Sequence, residues 1–139
     1  SWAYFQSLSD PLTTAELVGR TLSFGIILGA LGINVGHELG HRSNKKEQLL
    51  AKLLLLPSFY MHFFIEHNRG HHKHVSTPED PASARYGEWI FTFWARSVVG
   101  SYLSAWRLEN DRVRRNGLPF WQNEMIVYQV AQLGWLGLV

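Results

Sequence analysis

Cysteine is absent from all 139 residues. This removes disulfides, thiolate nucleophiles, zinc fingers and cysteine-ligated iron–sulfur clusters from consideration. Charge is sparse as well: 13 Lys and Arg against 11 Asp and Glu leave a net charge of +2, too little for long-range attraction to nucleic acid, so no nucleic-acid partner is expected. Internal repeats and low-complexity segments are missing. There is no initiator Met at Ser1 and no basic leader, and the last residues, 136–139, fall inside an apolar run. We therefore read the chain as an internal piece of a longer protein. What remains to carry chemistry is seven histidines.

A mean hydropathy of −0.09 hides segregation of apolar residues toward the two ends. Thr21 to Gly36 is a run of 16 residues without formal charge. With Leu17 to Gly19 added and Arg20 snorkelling outward, it reaches the roughly 17–25 residues of a membrane-spanning helix, so 17–36 is expected to be one. A buried helix of a soluble protein is the alternative. A second uncharged run, Met125 to Val139, marks 124–139 as the start of a further span. Arg42, Lys45 and Lys46 follow the first run, and Arg107, Arg112, Arg114 and Arg115 precede the second. The positive-inside rule places both clusters, and hence all of 37–120, on the cytoplasmic face.

Two other apolar stretches then cannot cross the bilayer singly. Residues 87–107 are expected to form an amphipathic helix in the interface, with Trp89, Phe93, Trp94 and Trp106 at headgroup depth and Arg96 only ~20° around the helix from Arg107. Leu49 to Ile65 is expected to break at Pro57, which lets its second half return toward the first histidines. The fold class is thus all-α: integral membrane helices with a cytoplasmic, histidine-rich helical cap.

The histidines form two motifs. In His37-Glu38-Leu39-Gly40-His41 the i, i+4 pair shares one helical face and can reach one metal site. Alone, this is also the zinc-protease pattern, with Glu38 as general base, or half of a carboxylate di-iron site. In Glu66-His67-Asn68-Arg69-Gly70-His71-His72, His67 and His71 repeat the spacing, while His72 points ~100° away from His71. Five imidazoles exceed the three or four ligands of a single zinc. For redox work without cysteine, iron is the favoured metal.

The stretches GHELGHR at 36–42, FYMHFFIEHNRGHH at 59–72 and STPEDPASAR at 76–85 resemble the membrane-bound alkane hydroxylases, the non-haem di-iron alkane 1-monooxygenases of bacteria. The resemblance runs from about residue 17 to the C-terminus. It implies a multi-pass protein of the bacterial inner membrane whose histidine boxes lie on the cytoplasmic side. It implies two non-haem iron ions, n-alkane and O2 as substrates, rubredoxin as electron donor and the lipid bilayer as surroundings. His37, His41, His67, His71 and His72 match the family's ligands. Two later histidine clusters of that family have no counterpart here, so these residues alone are expected not to complete the site. Membrane fatty acid desaturases and hydroxylases share the broader histidine pattern and remain an alternative, as does the zinc metalloprotease.

Around the ligands, Glu38 and Glu66 are expected to accept an imidazole N–H, and His62 lies on the helical face of Glu66 as a further supporting residue. Asn68 and Arg69 are expected to hydrogen-bond locally or to pair with an acid such as Asp80. Gly36, Gly40 and Gly70 are expected to permit close helix approach. His74 is read as surface, and Arg107 to Arg115 as a basic face for an acidic electron-transfer protein or for lipid headgroups.

Overall fold

The computed structural model describes residues 12–138. Their regular structure is all helical, with no strand among them, and a non-helical connection spans 75–89. The first helix, α1, runs over Thr14–Gly40. Thr13 caps it, its hydroxyl accepting from the Glu16 N–H while the Glu16 carboxylate accepts from the Thr13 N–H. At 27 residues it is long and apolar enough to cross a membrane, about 40 Å at ~1.5 Å per residue. Leu17, Leu22, Phe24, Ile26, Ile27 and Leu31 all face outward. Each such side chain left in water forgoes about 1.5–3 kcal/mol relative to burial, so this helix suits lipid or protein cover better than water. The segment Leu28–Ile33 winds as a π-helix.

Helix α2, Lys45–Leu55, starts where the Asn44 side chain accepts from the Lys46 N–H. It packs back against the end of α1 because Gly32 and Gly36, four residues apart on one face, present no side chain. A Cβ on Gly36 would lie 3.3 Å from Leu55 Cγ and 3.4 Å from the Ala51 carbonyl. The helix ends just before Pro57, as expected, and the reversal is tight: the Tyr60 N–H bonds the Leu55 carbonyl and Phe59 takes φ 55°. The chain then returns as α3 over residues 62–74, which includes the π-helical segment His67–His71.

Helix α4, Ile90–Arg115, is a single 26-residue rod. The expected interfacial helix was bounded at 107. It runs eight residues further because nothing between Arg107 and Arg115 breaks it, and Gly117, at φ 59°, follows its end. Trp89, Phe91, Trp94 and Val98 are exposed, whereas Ser101, Ala105 and Glu109, four apart, turn inward against α3. Helix α5, Glu124–Leu136, is capped by Asn123, whose side chain accepts from the Met125 N–H. The core lies where these helices meet: Ala51 and Leu55 of α2, Met61, Phe64 and Ile65 at and within α3, Ala105 of α4, and Met125 and Tyr128 of α5. It underlies α3, the helix that carries the second histidine motif.

Candidate metal centre

The last turn of α1 is ordinary α-helix, so His37 and His41 project from one side, with their Nε2 atoms 2.9 Å apart. Gly40 lets α3 come close beneath them: a Cβ there would touch the Phe64 ring at 3.5 Å. The reversal at Pro57 brings His67 Nε2 to 3.3 Å from His41 Nε2, and His72 Nε2 lies 3.0 Å from His67 Nε2. Four imidazoles, 26 residues apart in sequence at the crossing point, thus form one chain of adjacent nitrogens. His37, His41 and His67 each offer a nitrogen, all within 4.8 Å of one another.

Within the second motif the geometry differs from an α-helical reading. The His72 N–H reaches back five residues to the His67 carbonyl, so residues 67–71 form a π turn. Such turns are rare and concentrate at functional sites. The wider turn gives His67 and His72 a common face, rather than sending His72 off on its own. His71 instead stacks on His67, with ring centroids 5.2 Å apart and planes 17° apart. Phe63 stacks on the other face of His67 at 4.7 Å, and Tyr60 on Phe63 at 5.4 Å. The column fixes the plane of the His67 ring.

His71 Nδ1 lies 2.8 Å from Asp80 Oδ2. The Asp80 side chain is fully buried, and it also accepts from Ser83 Oγ at 2.5 Å and from the Ala82 N–H at 2.9 Å. Burial works to raise the Asp80 carboxyl. These hydrogen bonds, with the nearby His71, outweigh it and hold Asp80 below its ordinary value. A charged carboxylate on Nδ1 keeps the proton there and leaves His71 Nε2 as a free lone pair.

The electrostatics favour neutral imidazoles at His67 and His41. Burial first, then the neighbouring His37, His72, His71 and His41, push His67 down to about 3. His41 is lowered for the same reasons, burial first. Neutral imidazole is the metal-binding form.

The supporting residues fall out variously. Glu38 is mostly exposed, its Oε1 3.3 Å from His37 Nδ1. Glu66 is buried, with Oε1 lacking a hydrogen-bond partner. Burial and the negative Asp80 raise its carboxyl above the ordinary range against a hydrogen bond with Ser104. His62 is buried between Tyr60 and Tyr102, with Nε2 unpartnered and burial pushing it down to about 4.

Arg69 does not pair with Asp80, which His71 occupies; it bonds Glu109 at 2.7 Å and Glu124 at 3.1 Å. Arg112 of the basic stretch turns inward to Glu109 and the Gln122 carbonyl. Arg96 of the interfacial stretch is held by Glu88 and by the Pro81 and Ser83 carbonyls. Asp80 and Glu109 were not singled out as site residues from sequence. The STPEDPASAR stretch at 76–85, which contains Asp80, was a signal for the first; nothing local marked the second.

The donor set fits a resident metal. Three Nε2-bearing imidazoles, His37, His41 and His67, lie within reach of one ion, His72 adjoins His67, the Asp80 carboxylate faces His71 Nδ1, and with no thiolate among the residues the all-nitrogen set suits iron.

Residues 14–139 match the family model described as Fatty acid desaturase. The chain is 44% identical over 134 residues to alkane 1-monooxygenase 1 of Pseudomonas aeruginosa, covering 88% of this chain and 35% of that protein. It is 45% identical over 121 residues to alkane 1-monooxygenase 1 of Alcanivorax borkumensis, with coverage of 87% and 30%. To an alkane 1-monooxygenase of Pseudomonas putida it is 44% identical over 127 residues, with coverage of 90% and 30%. The chain spans about a third of the length of the curated relatives it matches.

Proposed function

This chain belongs to the fatty acid desaturase family, and from that premise we propose that the protein is a membrane-bound alkane 1-monooxygenase, hydroxylating the terminal carbon of n-alkanes. The observation that carries the reading is the convergence of His37, His41, His67 and His72 through their Nε2 atoms, with His71 oriented by Asp80. Relatives named alkane 1-monooxygenase, similar over nearly the whole of this chain, support the substrate.

His37 and His41 would hold the metal from α1, and His67, His71 and His72 from α3, as part of a di-iron site. Bound iron supplies activation of O2, chemistry that no side chain offers toward an unactivated methyl group. Asp80 retains the His71 Nδ1 proton, and Glu38 stands beside His37 Nδ1 to do the same there. Phe63 closes one side of the cluster. The outward apolar face of α1 leads along the helix to His37, which suits a substrate that has no polar handle and partitions into the bilayer. The histidines stand near Arg42, Lys45 and Lys46, which supports a cytoplasmic placement at the inner membrane. Electron supply from rubredoxin belongs to the same reading.

Membranes carrying the full-length protein, given octane, O2 and an electron-donor system, are expected to produce 1-octanol. An alkene from a fatty acyl substrate, with no alcohol from octane, would replace the reading by desaturation. Peptide cleavage by a one-zinc protein, abolished by Glu38→Gln, would replace it by proteolysis.

A further inference from the structure

Beneath the histidines, on the side of α3 facing away from them, lies a second group of charges. Arg69 sits in the π turn between His67 and His71, and its guanidinium bridges two carboxylates: Nη1 to Glu109 Oε2 at 2.7 Å and Nη2 to Glu124 Oε1 at 3.1 Å. Glu109 has no exposed side-chain surface. Its Oε1 accepts from Arg112 Nε at 2.7 Å, from Arg112 Nη2, and from the Glu124 backbone N–H at 3.0 Å. Glu124 Oε2 accepts from Tyr128 Oη at 2.8 Å and from Lys52 Nζ at 3.3 Å. Two carboxylates thus join α2, the π turn, α4 and the start of α5, and each oxygen has a donor.

Such a network fixes geometry more than it adds stability, because burying the charges costs much of what their attraction returns. What it fixes here is the turn that carries the ligands. A π turn has one residue more per hydrogen-bonded loop than an α turn and is rarely stable by itself. In α register, His67 would pair with His71; in the π register it pairs with His72, and His71 swings to Asp80. Arg69 is the one side chain of this turn that is anchored to both α4 and α5. We propose that Glu109 and Glu124, acting through Arg69, are positioning residues that hold the π register, and so decide which histidine joins His67 and which joins Asp80. This rests on the reading of the histidine cluster as a metal site.

The test uses the purified protein in detergent, with Co(II) as the probe, reading affinity by titration and geometry by the visible ligand-field spectrum. Glu109→Gln is expected to weaken Co(II) binding about 10–100-fold, the range typical of groups that orient ligands, and to change the spectrum. Arg69→Met, which leaves Glu109 paired with Arg112, should do the same and keeps the test available should Glu109→Gln fail to fold. Arg69→Met/Glu109→Gln should bind no worse than Arg69→Met alone, since both act through one contact. Tyr128→Phe, which removes one bond to Glu124 but leaves Arg69 anchored, should keep the wild-type spectrum. Variants with wild-type affinity and spectrum, however much their melting temperature falls, would overturn the positioning role alone. A wild-type protein that takes up no Co(II) would overturn the metal-site reading and this inference with it.

Discussion

Asp80→Asn perturbs the ligand geometry by one atom. The Asp80 carboxylate is fully buried and serves three donors: His71 Nδ1 and Ser83 Oγ on Oδ2, and the Ala82 N–H on Oδ1. In Asn one of these oxygens becomes an NH2 donor. If the remaining oxygen stays on Ala82, the NH2 faces His71 and Ser83. The hydroxyl can rotate to accept, but His71 must surrender its Nδ1 proton and carry it on Nε2, the atom needed for the metal. If the amide flips, NH2 opposes the Ala82 N–H and a buried donor is stranded. Either way one hydrogen bond involving a charged group is lost, about 1.5–3 kcal/mol. Fe(II) affinity should fall about 10–100-fold, which is ~1.4–2.8 kcal/mol. An anaerobic Fe(II) titration against a chromogenic chelator reads this directly. Ser83→Ala, which leaves the His71 contact in place, should bind within a factor of about three of wild type, under ~0.7 kcal/mol. Asp80→Asn protein that binds Fe(II) as tightly as wild type would refute the claim that Asp80 sets the His71 tautomer.

Three further outcomes are expected. His62, buried and held down to about 4, binds its proton more readily in the unfolded chain, so its contribution to stability is present above about pH 6.5 and is lost as pH falls from there toward 4. The loss amounts to about 3 kcal/mol, and His62→Phe should flatten the fall of melting temperature between pH 7 and 4.5. Gly70→Ala should destabilise the protein by about 1–3 kcal/mol, because its Cβ would stand 2.5 Å from Glu66 Oε1 and 3.1 Å from Leu108 Cδ1; a chemical-denaturation midpoint at or above wild type would contradict that packing. His41→Ala should abolish octane hydroxylation and lower iron content, while His74→Ala should change neither, since His74 lies outside the linked nitrogens.

Much of this was legible in the sequence where the signal is local. The length and hydropathy of α1, the i, i+4 spacing of His37 and His41, and the break at Pro57 are properties of short windows, and the structure bears out all three. The π turn was not legible, because its register depends on what holds Arg69 from outside. Arg69 finds its partners 40 and 55 residues away, and a sequence offers no reason to prefer them to the nearer Asp80. Arg112 is similar: counted with the basic face by its neighbours, it is turned inward by Glu109 and the Gln122 carbonyl. Close helix approach at Gly36 was expected, but that it is α2 that seats there, through Leu55 and the Ala51 carbonyl, with Gly32 facing the Leu54 carbonyl one turn earlier, required the fold.

The central claim is that the imidazoles of α1 and α3 bind iron. Iron K-edge X-ray absorption on the protein purified from membranes tests it most directly, because multiple scattering counts imidazole ligands at the metal itself. The expected result is about two irons per protein in a shell dominated by imidazole nitrogen, with iron lost when His41 and His67 are both replaced by Ala. Zinc as the sole bound metal, or an iron shell unchanged in that double variant, would contradict it.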